Sequence, residues 1–424
     1  MKLPVYALLI LILLTTVCDA ADGVVRVVNI NGPVNPVTAG YVIRNLRAAA
    51  MRQEKLFLID MDTPGGLDTA MRDIIKEIFA SPVPVVVYVS PSGARAASAG
   101  AVIAMSADVC AMAPGTNIGA AHPVSMGEQP DKVMQEKMLN DAEAYVESIA
   151  RKRGRNFEEA KKMVRSSSSL AAEKALEAGV VDLIASSRAN LLQKLNGRAI
   201  SRDGKTIFLK TVGARIEVHE MGTREKILDA ISNPNVAYVL MMLGMLGLFF
   251  ELSNPGVILP GVIGGISLIL AFFAFQTLPV NYAGVLLILL ALILFIAEVK
   301  VVSHGMLTVG GIISMILGSL LLFESPEPYL RVSWSVIFVT VFCVAAFASI
   351  AVSKAIKAHR QKPSSGKEGL IGEEGRADSD ISPEGKVFVR GEYWDASSDQ
   401  VISRGDKIVV TGVEGMRLKV KSGS

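Results

Sequence analysis

The sequence has few of the residues that bind metals or cross-link a chain. It contains 424 residues, of which three are cysteines (Cys18, Cys110 and Cys343) and four are histidines. The cysteines fall in three different kinds of segment, and the histidines are scattered along the chain. This spacing predicts neither a disulfide framework nor a structural zinc site.

The chain also lacks a strong excess of charge and is poor in aromatic residues. Lys and Arg number 43 against 40 Asp and Glu, for a formal net charge of +3, and aromatic residues make up 6%. No basic face with interleaved aromatics occurs, so nucleic acid is not expected as a partner. Apolar residues are in excess instead, at 51% with a mean hydropathy of +0.43. At this length two or three domains are expected.

The first 20 residues have the pattern of a secretory signal peptide. One lysine near the start precedes an apolar core at residues 6–14, and Cys18-Asp19-Ala20 precedes Ala21 with small residues at its first and third positions. A lipoprotein signal with Cys18 acylated is the alternative, but Val17 is bulkier than the residue usual before such a cysteine. Either pattern predicts that the following domain is exported.

Residues 24–199 alternate between strand-like and helix-like patterns. This alternation predicts a parallel sheet with helices over both faces. Functional loops collect at the carboxyl ends of such strands, and two loops there stand out, Asp62-Thr63-Pro64-Gly65-Gly66 and the stretch around Ser98. Residues 191–220 are polar and β-like, which predicts a peripheral hairpin or a spacer. The predicted strands are residues 24–28, 56–60, 83–89, 109–112 and 180–184, and the predicted helices are residues 38–52, 67–80, 130–154, 156–164 and 171–178.

After Pro234 the composition changes to nearly uncharged apolar runs. Some of them fall short of the ~20 residues that a straight membrane span needs. Glycines and a proline in the first two runs indicate close helix packing or a re-entrant pair. The five runs are residues 237–252, 257–275, 283–299, 306–323 and 332–352.

The charges between these runs predict an orientation in the cell (inner) membrane. Residues 276–282 include no basic residue and residues 324–329 are acidic, whereas Lys300 follows the third run and basic residues at 354–362 follow the fifth. The positive-inside rule then places the C-terminal tail in the cytoplasm and the exported N-terminal domain outside it. This arrangement requires an odd number of spans, and five satisfies that.

The tail has the pattern of a small all-β domain. Short alternating strands at residues 386–390, 392–396, 407–410 and 417–420 are separated by glycines, which predicts a five-stranded barrel of the OB type. The aromatic and basic platform that nucleic acid needs is missing, so we expect Trp394 in the core or at a protein contact.

Ser98 is the candidate nucleophile, because small residues surround it where a buried strand gives way to a helix. Acyl transfer by a serine needs a base, backbone N–H groups that hold the oxyanion, and a groove for the substrate. Gly66 in the Pro64-Gly65-Gly66 turn and Ala99 at a helix N-terminus are the candidate N–H donors. A plain turn and a close-packing point would show the same patterns.

Two residues are candidates for the base that takes the Ser98 proton. Lys137 lies at the head of a helix among apolar side chains, a setting that favours a neutral amine. His122 would need an orienting carboxylate, for which Asp182 at a strand end is the candidate. A solvated helix lysine and a capping histidine are the ordinary alternatives, and the residues alone do not choose between the two bases.

Three ordered motifs resemble those of a known class of enzymes. Asp62-Thr63-Pro64-Gly65-Gly66, Ala96-Ala97-Ser98-Ala99-Gly100 and residues 112–120 are similar to the ClpP-class serine proteases with a crotonase-like fold. The whole chain resembles the long form of the NfeD membrane proteases, and its tail at residues 385–396 matches the soluble domain of that family. The resemblance implies an α/β crotonase/ClpP-like domain, a multi-span helical membrane block and a small all-β OB-fold domain.

The resemblance also implies roles and partners. It assigns a Ser-Lys dyad to Ser98 and Lys137, with Gly66 and Ala99 as oxyanion donors. ClpP itself uses Ser-His-Asp, and His122 has a similar spacing from Ser98, so it remains the alternative base. The implied substrate is an apolar segment of a stomatin (band 7)-like membrane protein, and the implied assembly is at least a homodimer. Neither a metal nor a nucleotide is implied.

Two further interpretations belong to other functional classes. A scaffold would use the membrane block and the OB-type domain to recruit a stomatin-like partner and organise a membrane microdomain. A crotonase-type CoA enzyme has little support, since nothing indicates an adenine or pantetheine site. The predicted domains are a signal peptide at residues 1–20, the protease domain at 21–232, about five transmembrane helices at 236–353, a linker at 354–370 and an NfeD-type OB-fold domain at 371–424.

Overall fold

The computed structural model describes residues 23–124, 131–202, 204–253, 256–301, 303, 305–323, 325, 327–360 and 367–423. The predicted signal peptide lies outside the described residues, as do residues 361–366 of the predicted linker. The chain divides into two units, which are described separately. The first comprises Met1–Leu294 and Val309–Val344, and the second comprises Phe295–Thr308 and Ala345–Ser424.

An α/β domain forms the N-terminal part of the first unit. Its strands are β1 (Val24–Asn31), β2 (Leu56–Asp62), β3 (Val85–Val89), β4 (Arg95–Ala97), β5 (Val109–Met112), β6 (Asn117–Gly119), β7 (Ser169–Ala171), β8 (Leu183–Ile184), β9 (Ala199–Arg202), β10 (Lys205–Phe208) and β11 (Arg215–Val218). Its helices are α1 (Pro36–Met51), α2 (Asp68–Ala80), α3 (Ala99–Ser106), α4 (Lys132–Lys152), α5 (Phe157–Arg165), α6 (Ala172–Glu177), α7 (Arg188–Leu195) and α8 (Thr223–Ile231).

The main sheet has six strands, all parallel, in the order β11-β1-β2-β3-β5-β8. Apart from the edge strand β11, its strands are apolar on both faces because helices cover both. In β2, Phe57 and Ile59 pack into one core, whereas Leu56 and Leu58 pack into the other. Helices α1 to α6 contribute to the first core and α7 to the second. The predicted parallel α/β architecture is therefore confirmed, and burial on both faces explains why the strands are continuous apolar runs.

A smaller three-stranded sheet, in the order β4-β6-β7, lies beside the carboxyl end of β2. The Thr63 amide donates to the Arg95 carbonyl at 2.8 Å, and the Ala97 amide donates to the Thr63 carbonyl at 3.1 Å. These bonds join the loop after β2 to the strand that leads into α3. The two loops that the sequence singled out are therefore neighbours in space.

The polar segment at residues 191–220 forms more than a spacer. β9 and β10 form the predicted antiparallel hairpin, with Arg202 opposite Lys205. β11 then pairs parallel with β1 and becomes the edge strand of the main sheet. An edge strand in this position is largely exposed, so it lacks the apolar run that identifies the other strands.

Each of the five predicted apolar runs forms a helix. The helices are α9 (Pro234–Ser253), α10 (Ile258–Phe275), α11 (Tyr282–Lys300), α12 (Met306–Leu321) and α13 (Trp334–Arg360). Among the described residues, three segments have the length and composition to cross a membrane: Pro234–Leu252, Ile258–Phe275 and Pro328–Phe347. Two apolar helices, Tyr282–Glu298 and Met306–Leu321, are shorter. The number of full crossings stays a prediction.

The first two membrane helices pack closely through glycine, as the sequence indicates. A Cβ on Gly247 would lie 2.4 Å from the Pro260 carbonyl oxygen and 2.8 Å from the Cα of Gly264. The backbones of α9 and α10 therefore meet at this point, which only residues without a side chain allow.

The connections at one end of these helices lie against the α/β domain. Leu278, between α10 and α11, and Leu330, between α12 and α13, line a cavity of about 130 Å³ together with Val34 and Gly66. The connection between α10 and α11, which has no basic residue, and the acidic connection between α12 and α13 therefore both lie on the side of the α/β domain.

The C-terminal part of the second unit is a closed barrel. Its strands are β12 (Glu374–Ala377), β13 (Glu384–Val389), β14 (Glu392–Ser397), β15 (Lys407–Glu414) and β16 (Arg417–Ser422), paired in the order β12-β13-β14-β16-β15 and closed between β12 and β15. Inward residues such as Val387, Ile408 and Leu418 form its core, and Trp394 packs against that core. The predicted five-stranded OB-type domain is confirmed.

Candidate active site

Ser98 lies where β4 ends and α3 begins, and its backbone is strained. Its φ is 52° and its ψ is −121°, a region that side chains disfavour. The Ser98 amide donates to the Gly119 carbonyl at 2.9 Å, which ties it to β6. A non-glycine residue in this conformation costs about 1–3 kcal/mol and persists only where the surrounding structure holds it. The small sheet does so here, and it leaves Ser98 half-buried at the start of a helix.

The glycine loop packs directly on Ser98. Gly65 has a φ of +129°, and a Cβ at this position would lie 2.7 Å from the Ser98 Cβ and 3.2 Å from its Oγ. The fully buried Thr63 holds the loop, since its hydroxyl accepts from the Gly65 amide at 3.1 Å and donates to the Gly65 carbonyl at 3.0 Å. Both the conformation and the close approach require glycine at position 65.

Two backbone amides near Ser98 have no hydrogen-bond acceptor in the described part of the chain. The Val34 carbonyl accepts from the Leu67 amide, and the Val34 amide donates to the Gly65 carbonyl. These two bonds do not use the Gly66 amide between them, and it has no acceptor among the described residues. Ala99 is the first residue of α3, so its amide has no acceptor inside the helix. Gly66 and Ala99 line the same cavity as Ser98.

That cavity has a volume of about 250 Å³ and is mostly apolar. Its walls come from the glycine loop, from α2, α3 and α4, from the turn after β6, and from the connection before α13. The large apolar side chains that line it include Met71, Val102, Val124, Met138, Tyr145, Val164, Tyr329 and Leu330. The space suits an apolar side chain of an extended peptide that lies across Ser98.

One side of the cavity is charged and internally paired. Arg72 binds Asp68 at 2.8 Å and Asp141 at 2.6 Å, and its guanidinium lies 4.2 Å from the centre of the Tyr145 ring. Burial opposes the charge of Arg72, but the two carboxylates outweigh it and raise the Arg72 pKa. Burial raises the pKa of the Tyr145 hydroxyl, and the Arg72 cation opposes this. One cation faces two carboxylates, so this side of the cavity keeps a net negative charge, and the Arg72–Asp141 ion pair joins α2 to α4.

His122 lines the cavity with Ser98. Its Nδ1 lies 2.9 Å from the Val164 carbonyl oxygen. A carbonyl oxygen can only accept, so this contact assigns the ring proton to Nδ1 and leaves the Nε2 lone pair of the neutral ring available. His122 therefore has the tautomer that a general base needs.

Lys137 is exposed to solvent on α4. It does not line the cavity in the described structure, although Met138 and Asp141 of the same helix do. Lys137 and Asp141 are one helical turn apart, so the lysine lies on α4 at the rim of the charged side. The structure thus brings Ser98, Gly66, Ala99 and His122 to one cavity and leaves Lys137 at its edge.

Asp182 does not orient His122, which corrects that expectation. Its carboxylate binds the buried Arg155 guanidinium at 2.5 Å and accepts from the Cys110 amide at 2.7 Å. Asp182 is therefore used in a structural ion pair at the start of β5. A backbone carbonyl, that of Val164, holds the His122 ring instead.

Sequence reasoning missed several residues of the site. Thr63 holds the glycine loop, and Tyr329 and Leu330 reach the cavity from the membrane segment. Thr63 lies inside the Asp62-Thr63-Pro64-Gly65-Gly66 motif, so the motif could have identified it. Tyr329 is more than 200 residues from Ser98, and nothing in the local pattern links the two.

Within the described ranges, no group of three or more His, Cys, Asp or Glu side chains has the geometry to hold a metal ion.

Three family descriptions match successive parts of the chain. The NfeD1b N-terminal domain matches residues 24–203, the NfeD integral membrane domain matches residues 235–354, and the NfeD-like C-terminal, partner-binding domain matches residues 367–421. The matches follow the α/β domain, the apolar helices and the barrel in order.

Whole-chain relatives agree with these matches. The membrane-bound protease PH1510 of Pyrococcus horikoshii is 36% identical over 412 residues, which cover 94% of this chain and 93% of that protein. The membrane protein NfeD1b of Bacillus subtilis is 29% identical over 430 residues, which cover 94% and 92%. A solved structure of the 1510-N membrane protease specific for a stomatin homolog from Pyrococcus horikoshii is 32% identical, covers 50% of this chain and 100% of that chain, and superposes with a TM-score of 0.45. The chain belongs to the NfeD family of membrane proteins, together with the membrane-bound protease PH1510.

Proposed function

We propose that this protein is a membrane-bound serine endopeptidase with Ser98 as its nucleophile. One observation carries the proposal: strained Ser98 faces a mostly apolar cavity that it shares with Gly66 and Ala99, whose amides have no acceptor among the residues that the structure describes. The relationship over almost the full length to a membrane-bound protease supports the same class of activity.

The chemistry follows from these groups. A base takes the Ser98 hydroxyl proton as Oγ attacks the scissile carbonyl carbon, and the carbonyl oxygen becomes an oxyanion. The Gly66 and Ala99 amides donate to that oxyanion. The C–N bond then breaks, the amine leaves with the proton from the base, and water hydrolyses the remaining ester to release the acid and restore Ser98.

We propose Lys137 as the base, with His122 as the alternative. The family resemblance of the motifs supports Lys137, which acts as a base only where substrate or another subunit covers it and its ammonium loses a proton. The geometry favours His122, because the Val164 carbonyl fixes its tautomer at the wall of the cavity. The two assignments make opposite predictions for alanine variants.

The test is labelling by a fluorophosphonate and cleavage of an apolar peptide by the full chain. Ser98→Ala should abolish both. Lys137→Ala should lower both by at least about 100-fold if lysine is the base, while His122→Ala retains them. Lys132→Ala, an exposed lysine at the start of the same helix, is the matched control. Loss in His122→Ala alone would assign the base to histidine, and undiminished cleavage by Ser98→Ala would refute the nucleophile.

We infer that the substrate is an apolar segment of a stomatin-like membrane protein. The related 1510-N protease is named as specific for a stomatin homolog. The mostly apolar cavity supports an apolar segment, and the match of residues 367–421 to a partner-binding domain supports recruitment through the barrel.

We also propose assembly at least as a dimer. The proposed domains are the catalytic domain at residues 21–232, the membrane block at 236–353, the linker at 354–370 and the barrel at 371–424.

The second candidate is a scaffold, favoured by the partner-binding match of the barrel. A scaffold needs partner capture but not Ser98. In cells that lack the parent gene, rescue of partner clustering by the Ser98→Ala chain would favour the scaffold, and failure of that rescue would favour the peptidase.

The orientation is a separate proposal. We infer that the α/β domain is extracytoplasmic and the barrel cytoplasmic. The connection at residues 276–281 and the turn at 327–331 adjoin the α/β domain and have little basic charge, which supports their common position outside.

A further inference from the structure

The turn before the last membrane helix reaches the candidate active site. The hydroxyl oxygen of Tyr329 and the Oγ of Ser98 lie 3.1 Å and 3.2 Å from the position that a Cβ on Gly65 would take. The two hydroxyls therefore share one small volume beside the glycine loop. Leu330 is buried and lines the same cavity.

This turn is held firmly in place. Pro328–Leu330 form one 3-10 turn, in which the Leu330 amide donates to the Glu327 carbonyl at 3.1 Å. The Arg331 side chain donates to the Ser325 carbonyl across the turn. The Ser333 amide donates to the Asn235 side chain of α9 at 2.8 Å. The membrane helices thus fix the position of Tyr329.

The Tyr329 hydroxyl has no hydrogen-bond partner among the residues that the structure describes, although its ring is half-buried. A phenol in a mostly apolar cavity gains a partner only from water or from a bound molecule. A peptide that lies across Ser98 presents backbone carbonyl oxygens as acceptors in this volume. An apolar ligand without acceptors would leave the hydroxyl unpaired.

Tyr329 lines the cavity without filling it. About 250 Å³ remain open beside Ser98 with the ring in place, whereas a cavity of about 150 Å³ is enough to bind benzene. The open space therefore accepts one large apolar side chain while Tyr329 and Leu330 stay where they are. The two residues therefore form a wall of the cavity, beside the space that a ligand can occupy.

We propose that Tyr329 and Leu330 are substrate-contacting residues, so that the membrane block completes the peptide site. The Tyr329 hydroxyl donates a hydrogen bond to a backbone carbonyl of the bound peptide, and Leu330 contacts an apolar side chain of that peptide. This inference rests on the proposed function and deepens it, because it places the substrate segment next to the start of a membrane helix. Peptides are thus selected at the boundary between the α/β domain and the bilayer.

Binding to the full chain in detergent tests the proposal. The probe is a fluorescein-labelled peptide with a centre of leucine, isoleucine and valine and a lysine at each end, and the chain contains Ser98→Ala so that it cannot be cut. Added Tyr329→Phe, which keeps the ring, should weaken binding by about two- to tenfold, the effect of one lost hydrogen bond. Added Leu330→Ala should weaken it by a similar factor. Tyr282→Phe, an exposed tyrosine at the start of α11, is the matched control.

The outcomes separate this proposal from the peptidase. Weaker binding in Tyr329→Phe with unchanged binding in Tyr282→Phe supports the wall, even if Leu330→Ala fails to fold. The proposal would be overturned if both Tyr329→Phe and Leu330→Ala bound the peptide within 1.5-fold of the Ser98→Ala chain. Tighter binding would also overturn it, because it would show that Tyr329 blocks the cavity. Cleavage by the chain with Ser98 intact is measured in parallel, and its absence would refute the peptidase. The binding pattern decides separately whether Tyr329 and Leu330 contact the peptide.

Discussion

Two residues in conformations that side chains disfavour lie against each other at the candidate site. Ser98 has a φ of 52° and Gly65 has a φ of +129°, and the Cα of Gly65 faces the Ser98 side chain. Strain at a serine is retained because Gly119 and Thr63 hold the neighbouring strand by backbone hydrogen bonds. The result is a serine held at the same cavity as the Gly66 and Ala99 amides, for which the described residues provide no acceptor.

Gly65→Ala should therefore inactivate the site without unfolding the protein. The added methyl group would lie 2.7 Å from the Ser98 Cβ, so one of the two residues has to move. We expect fluorophosphonate labelling of Ser98 to fall by more than about tenfold. Gly93→Ala is the matched control, since Gly93 has a φ of +91° with nothing within 4 Å of the added Cβ. Equal labelling of the two variants would contradict a specific role for the Gly65 contact.

At the level of elements, α3 is fixed at both ends. Ser98 begins it, and two arginines from the turn after α4 bind its last carbonyls: Arg153 donates to Ser106 at 2.6 Å, and Arg155 donates to Met105 at 2.5 Å. Cations at a helix C-terminus stabilise its dipole. Burial lowers the pKa of Arg153, and the Asp108 carboxylate opposes that shift. The ion pair of Arg155 with Asp182 is thus part of the support of the nucleophile's helix.

The contact between α9 and α10 makes a prediction at the same level. A Cβ on Gly264 would lie 2.9 Å from the Gly244 carbonyl oxygen and 3.0 Å from the Gly247 Cα, all backbone atoms that cannot rotate away. Gly264→Ala should cost about 1–3 kcal/mol and lower the midpoint of thermal aggregation of the detergent-solubilised chain. Gly265→Ala, with nothing within 4 Å, should leave the midpoint unchanged. A higher or unchanged midpoint for Gly264→Ala would show that the helices are not in contact here.

At the scale of the whole molecule, the arrangement in the membrane can be tested with two engineered cysteines. Met51 in the α/β domain is 79% exposed and Met416 in the barrel is 85% exposed, so their accessibility is matched. In sealed right-side-out vesicles, a membrane-impermeant maleimide should label Met51→Cys at once and Met416→Cys only after permeabilisation. Labelling of both in sealed vesicles would place both domains on one side and refute the proposed orientation.

Two of the three native cysteines, Cys110 and Cys343, give a low background for this experiment. Burial raises the pKa of the Cys110 thiol to about 12, so it holds almost no reactive thiolate at neutral pH. Cys343 lies within the last apolar helix, in the segment Pro328–Phe347 that is long enough to cross the membrane. The parent chain without added cysteines measures the labelling that remains.

The sequence alone determined the elements that have a local signature. Apolar runs predicted the strands of the main sheet and all five apolar helices, because burial on both faces or in lipid leaves no polar alternation. Four of the five barrel strands and the two functional loops were also predicted, since glycine and proline mark their turns, whereas β12 was not named. β11 was not, because an exposed edge strand has no such run.

Only the tertiary structure decided which residues share the cavity. Tyr329 and Leu330 meet Ser98 across more than 200 residues, and His122 is held by the Val164 carbonyl instead of by Asp182. Lys137, which motif resemblance pairs with Ser98, lies exposed at the rim. The physical reason is that periodicity records whether a side chain is buried but not what buries it. Contacts between distant segments depend on how the sheet, the helices and the membrane turn pack together.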